Sequence, residues 1–191
     1  MSSPLDRILI DAAEIGAANV VEAAIRDGAD VNAVANHSTA LYKAVCGEYA
    51  GIVQTLLYNG ADPSDPKLLT VATKRKDIET LGLLLDAGAD VNAKGHYDGN
   101  TALMICGDEE TACLLIEKGA DVNITRNRDK LTALMFAIIE SNLELVKLLV
   151  KSGADVFARD DKGRDALTLA ASIHNRNPEI IKFLVDKVFL S

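Results

Sequence analysis

Hydrophobic positions along the chain recur at the spacing of short paired helices. Between Thr132 and Gly153, Leu134, Ala137 and Ile138 fall on one helical face; after the polar break Glu140-Ser141-Asn142, Leu145, Leu148 and Leu149 fall on another. The pattern predicts two helices packed through these faces. Gly153 closes the second helix where the chain needs a left-handed residue without a Cβ penalty. The small Ala154 then allows a close turn.

The same pattern is written several times. Gly-Ala-Asp recurs at Gly28, Gly60, Gly88, Gly119 and Gly153, at intervals of 32, 28, 31 and 34 residues by subtraction. Asp-Val-Asn completes it at Asp30, Asp90 and Asp121, whereas Asp62-Pro63 and Asp155-Val156-Phe157 depart from it. Thr39-Ala40-Leu41 and Thr132-Ala133-Leu134 each stand 21 residues before a repeat glycine, and Ile8-Leu9 and Leu68-Leu69 hold the matching apolar positions elsewhere. Thr101-Ala102-Leu103 and Asp165-Ala166-Leu167 mark two more units, which makes six. Their approximate bounds are 1–32, 33–63, 64–93, 94–124, 125–157 and 158–191 of one domain. Thr39, Thr101, Thr132 and Asp165 are placed to cap the first helix of each pair. Polar segments such as Tyr97-Asp98-Gly99-Asn100 and Asp160-Asp161-Lys162-Gly163 suit tight projecting turns.

Three departures carry information. The connector from Gly60 to Lys67 is short and contains Pro63 and Pro66, so its turn projection is expected to be cut off. Thr101 lies only 18 residues before Gly119, and Gly107-Asp108-Glu109-Glu110 falls where the first helix of the fourth unit should finish, predicting a short or frayed helix. The sixth unit carries a longer break, Ser172 to Pro178, and ends without a glycine close, as a C-terminal cap would.

A unit of about 33 residues with a turn, two helices, a Thr-x-Leu start and a Gly-Ala-Asp-Val-Asn close resembles the ankyrin repeat. The likeness runs along nearly the whole chain, and the fifth unit fits it best. It implies an all-α ankyrin-repeat solenoid of about six helix-turn-helix repeats with short projecting β-turns or hairpins. It also implies a non-enzymatic module that binds another protein on a concave face made by turn tips and first helices. Carried over by position, that face comprises Asn36, Ser38 and Tyr42 in the second unit and Tyr97, Asp98, Asn100 and Met104 in the fourth. In the fifth it comprises Arg128, Leu131 and Met135, and in the sixth Asp161, Arg164 and Thr168.

Tyr42, Met104 and Met135 occupy equivalent places, and aromatic, Met and Arg side chains are enriched at interface centres. The alternative is that they pack between adjacent first helices. Two basic clusters, Arg126/Arg128/Lys130 and Lys74/Arg75/Lys76, read either as sites for a partner's carboxylates or phosphates or as ordinary solvated charge.

Composition narrows the rest. Hydrophobic residues make up 49% of the 191 and aromatics only 4%, so the core must be aliphatic. A net charge of −8 argues against nucleic acid as a partner. No apolar run reaches the ~18 residues of a membrane helix, and no signal-peptide pattern opens the chain, which predicts a monomeric, cytoplasmic protein without membrane insertion. Cys46, Cys106 and Cys113 are expected to be reduced, buried thiols. His37, His96 and His174 form no metal-spaced pair, Glu109-Glu110 would point apart on a helix, and there is no GxGxxG, GxxxxGK[ST] or GxSxG. No catalytic residue, cofactor or metal is expected. Three functional readings stay open: an adaptor or scaffold, a regulatory or inhibitory subunit of a partner enzyme, and a structural fragment of a larger ankyrin-containing protein.

Overall fold

The computed structural model describes residues 3–95, 99–172 and 177–189. The turn tip at His96, Tyr97 and Asp98, and most of the long break in the sixth unit, including His174, lie outside them. The described residues hold twelve helices and no strand; the one isolated β-bridge pairs Ala35 with Ser38. They divide into two compact units, residues 1–90 and 91–191.

The first unit contains α1 (Pro4–Ile15), α2 (Ala18–Arg26), α3 (Ala40–Cys46), α4 (Ala50–Tyr58), α5 (Pro66–Arg75) and α6 (Ile78–Asp86). Each odd-numbered helix packs on the helix that follows it. The first helices α1, α3 and α5 also pack side by side as one row, and α2, α4 and α6 as another. Leu9, Leu41, Leu56, Leu68, Leu81 and Leu84 are fully buried between the rows. Local chemistry sets the helix starts. Ser3 and Asp6 form a reciprocal capping box on α1, the Thr39 hydroxyl accepts from the Tyr42 N–H at 3.1 Å, and Asp65 caps α5 just before Pro66.

The second unit repeats the scheme with α7 (Ala102–Ile105), α8 (Glu109–Glu117), α9 (Ala133–Ile139), α10 (Leu143–Lys151), α11 (Ala166–Ser172) and α12 (Pro178–Phe189). Here α7, α9 and α11 make the first-helix row, and α8, α10 and α12 the second. Leu115, Leu134, Met135, Ile138, Leu149 and Leu169 fill the core. The shortened first helix of the fourth unit is observed, since α7 has four residues against seven in α9 and α11. It is short rather than frayed. Cys106 turns into extended backbone, the Asn142 amide donates to the Gly107 carbonyl at 3.2 Å, and Asp108 caps α8 by accepting from the Thr111 N–H at 2.9 Å. Thr132 caps α9 and Asp165 accepts from the Thr168 N–H, whereas the Thr101 side chain makes no cap bond.

The repeated Gly-Ala-Asp-x-Asn close has a direct structural reason. All five glycines have positive φ, between 86° and 96°. In each of three closes the Asn amide reaches the next repeat's close, donating to its glycine carbonyl and accepting from its aspartate N–H. Asn32 spans to Gly60 and Asp62, Asn92 to Gly119 and Asp121, and Asn123 to Gly153 and Asp155, the accepted bonds all being 2.8 Å. Ser64 and Phe157 stand where the other repeats have Asn; among the described residues neither makes such a bridge, and the Ser64 hydroxyl donates to Asp62 of its own close instead.

Candidate functional site

Two turn tips of the second unit form one polar surface. The tip at residues 126–131 is closed by the Arg126 N–H to the Leu131 carbonyl at 2.8 Å, and the tip at 160–164 by the Asp160 N–H to the Arg164 carbonyl at 3.0 Å. A single bond, Asp161 N–H to the Asp129 carbonyl at 2.9 Å, joins them. Behind each tip lies an internal ion pair. Arg126 grips Asp129 with two guanidinium nitrogens, reaches Asn100 Oδ1 at 3.2 Å and lies 4.7 Å above the Phe136 ring. The Arg126 hydrogen bond, foremost, holds the Asp129 carboxyl below its ordinary range. Asp160 accepts from the Lys162 and Arg164 backbones and from the Arg164 guanidinium. Its burial pushes the pKa up, but the Arg164 side chain and these N–H groups outweigh it and leave the carboxyl lowered. Asp165 is also lowered, chiefly by the Thr168 N–H. The outward side of this surface offers Arg128, 74% exposed at its side chain, with Asp161, Lys162 and Thr168 exposed and Arg164 half-exposed. Arg128, Asp161, Lys162 and Arg164 surround a shallow recess of about 390 Å³.

The thirteen positions expected on the binding face therefore separate. Asn36, Arg128, Asp161 and Thr168 are exposed, and Ser38, Tyr42 and Arg164 are half-buried. Asn100, Met104, Leu131 and Met135 are 7%, 3%, 8% and 1% exposed, so these four are buried rather than standing out on the surface. Asn100 is the acceptor that positions Arg126. Tyr97 and Asp98 lie outside the described residues. Arg126 also leaves the first basic cluster, because its guanidinium is consumed internally. In the other cluster Arg75 pairs with Glu48, and Lys76 adopts a left-handed conformation to end α5.

Two deeper clefts lie beside the first-helix rows. In the first unit a charged cleft of about 410 Å³ is lined by Arg7, Asp11, Glu14, Asn36 and Lys43, with Lys43 and Glu14 paired at 2.7 Å. In the second a cleft of about 450 Å³ lies between the end of α7 and the flank of α9, and it is largely apolar, with Ile105 and Phe136 as its half-buried walls. The residue types alone did not mark this cleft. Two signals do: the three-residue shortening before Gly119, and the apolar Ile105 and Phe136 at the place held by Lys43 in the second repeat.

The three thiols are free, but only Cys106 is buried; Cys46 and Cys113 are half-buried because their helices carry them near the edge of the packed face. Burial, aided by the Asp108 charge, pushes the Cys106 thiol up to about 12, which suppresses its thiolate at neutral pH. Among the described residues no group of three or more His, Cys, Asp or Glu is arranged to hold a metal ion, and no helix is long and apolar enough to cross a membrane.

Comparison with known proteins agrees with the architecture. A 92-residue segment is 37% identical to the Caenorhabditis elegans ankyrin repeat and KH domain-containing protein mask-1, covering 45% of this chain and 4% of that protein. A 50-residue segment is 46% identical to human protein phosphatase 1 regulatory subunit 27, covering 26% of this chain and 31% of the relative. Among solved structures, a chain in the complex of a predatory endopeptidase from Bdellovibrio bacteriovorus with an immunity protein superposes with a TM-score of 0.82. It is 25% identical, and the match covers 98% of this chain and 100% of that one. The model for ankyrin repeats in three copies matches residues 64–126 and 107–189, and the single ankyrin repeat matches residues 36–67. Paired helices, glycine closes and family match together establish that this chain belongs to the ankyrin-repeat family, whose repeats mediate protein–protein interaction.

Proposed function

We propose that the chain works without catalysis as a cytoplasmic, monomeric adaptor that holds a partner protein against its first helices and turn tips. The observation that carries this reading is the joined pair of tips in the second unit. Arg126 and Asp160 are spent on internal bonds that stiffen the tips, while Arg128, Asp161 and Thr168 remain exposed on top. A rigid tip presenting exposed polar groups loses little entropy when it binds. Three unpaired thiols fit a reducing compartment, and the net charge of −8 favours a protein partner over nucleic acid.

A second reading, regulation or inhibition of a partner enzyme, draws support from the endopeptidase–immunity protein complex, whose matching chain this one resembles end to end, and from the phosphatase regulatory subunit. Both readings meet the same first test. The chain and an Arg128→Glu/Thr168→Glu variant, shown by circular dichroism to be equally folded, serve as baits in the same lysate. A partner retained by the chain and lost by the variant supports the tip site. Equal retention places the site elsewhere, and failure of the chain to retain any protein removes the interaction reading. If the captured partner is an enzyme, a stoichiometric change in its activity on adding the chain selects regulation over scaffolding.

A further inference from the structure

The apolar cleft beside α7 is a built feature. In the fourth unit the three residues missing before Gly119 amount to about 4.5 Å of helix, nearly one turn. Their absence leaves the flank of α9 uncovered where the end of a seven-residue first helix would lie. Met104, Ala137 and Leu145, all buried, form the floor; Ile105 and Phe136 form half-buried walls; Glu140 stands exposed at the rim. Nothing in the surrounding bonding lets the gap collapse. Asn142 holds the Gly107 carbonyl, the Cys106 thiol donates to the Leu103 carbonyl at 3.1 Å, and one face of Phe136 is fixed beneath Arg126.

Charge identifies the occupant. Glu140 has no cationic partner among the described residues, and neither do the exposed Glu109 and Glu110 that follow the cleft at the start of α8. An apolar recess with an unneutralised acidic border complements a hydrophobic side chain flanked by a cation. We propose that this cleft docks a segment of a partner protein that carries one large aliphatic or aromatic anchor adjacent to Lys or Arg. The anchor fills the place of the missing helical turn, and the cation lies against Glu140. The proposal rests on the protein-interaction reading above and adds to it the partner's local chemistry.

The test uses the full chain and a random linear peptide library displayed on phage. Selected peptides are synthesised and titrated against the chain, Ile105→Glu, Glu140→Lys and Arg128→Glu, each checked for an unchanged melting temperature. Because Ile105 is half-buried, Ile105→Ser stands in if the glutamate variant does not fold. The expected result is a selected pattern of an apolar residue beside Lys or Arg, with affinity falling about 30-fold in the Ile105 variant, the loss typical of an interface anchor. Glu140→Lys is expected to weaken binding and reduce its salt dependence, whereas Arg128→Glu, at the tip, is expected to change affinity less than either cleft variant. Peptides that ignore both cleft variants but fail on Arg128→Glu overturn the cleft proposal and leave the interaction reading standing. A selected pattern of acidic residues, or no selected pattern while lysate capture succeeds, also overturns it. Absence of both selection and capture removes the interaction reading itself.

Discussion

Each unit has a cleft beside its first helices, yet one is charged and the other apolar. One position of the repeat lines both clefts and differs in character. Asp11 and Lys43 stand there in the first two units, Ile105 and Phe136 in the fourth and fifth. The scaffold tolerates both because the neighbouring buried positions, Leu9 and Leu41 in one unit and Leu103 and Leu134 in the other, supply the core regardless. A position on the first helices beside these buried leucines is where a repeat protein can change what it recognises at little cost to folding. In the charged cleft Lys43 and Glu14 are paired with each other. The second unit couples an apolar hollow to unneutralised acid.

The contrast can be broken most severely at Arg126. Arg126→Ala strips Asp129 of its foremost partner, removes a donor to Asn100 and uncovers Phe136; urea denaturation should show about 1.5–3 kcal/mol lost, the range for hydrogen bonds to charged groups. Lys43→Ala in the first unit removes only an exposed pair and should cost about 0–1 kcal/mol. Comparable losses would mean that the two units are braced alike.

Acid should separate the units next. Asp129, Asp160 and Asp165 in the second unit are lowered in the folded state, against Asp6 in the first, where the Asp30 N–H is the foremost cause. A carboxyl with a depressed folded pKa contributes stability above its unfolded value of about 3.9, and that contribution is lost as pH falls through the folded value. Amide signals of the second unit should therefore lose protection first below about pH 4. Asp160→Asn should flatten that acid limb, and an unaltered limb would place the transition elsewhere.

Hydrogen exchange sharpens the comparison within the second unit. Amides at 103–106 should exchange at least about tenfold faster than those at 135–139, since a four-residue helix has little cooperative protection of its own. Equal protection would show that the ties at Gly107 and Asp108 compensate fully for the missing turn. The smallest effect concerns the bridges between closes. Ser64 already has the local geometry of the bridging residues, its N–H donating to Asp62 as the Asn32 N–H does to Asp30. Ser64→Asn should gain about 0.5–1 kcal/mol in the first unit by reaching the close at Gly88 and Asp90. No gain in the denaturation midpoint would mean that Pro63 holds the segment out of reach.

The architecture was legible because it is periodic. Gly-Ala-Asp, the caps at Thr39 and Thr132 and the shortened spacing before Gly119 each led to the observed feature, since helix closes and caps depend on a few residues nearby in sequence, whereas Thr101 makes no cap bond. The binding face was less legible. Tyr42, Met104 and Met135 look equivalent in sequence, but one is half-buried and two are core, because exposure depends on how adjacent first helices abut. Arg126 and Arg128 are two residues apart and chemically alike, yet one is an internal brace and the other exposed. Only the placement of Asn100, Asp129 and Phe136 around Arg126 distinguishes them, and two of these come from other helices or tips.

The asparagine that links successive closes hydrogen-bonds main-chain atoms of its neighbour, a carbonyl and an N–H that most residues with the same backbone path would offer. Such a joint is indifferent to the side chains of the unit it receives. Units can then be duplicated, exchanged or lost by recombination without re-matching the seam, provided that the upstream copy ends in asparagine and the downstream copy keeps its glycine turn. The close at Ser64 lacks the asparagine, so the seam it makes with the close at Gly88 does without this side-chain-blind joint.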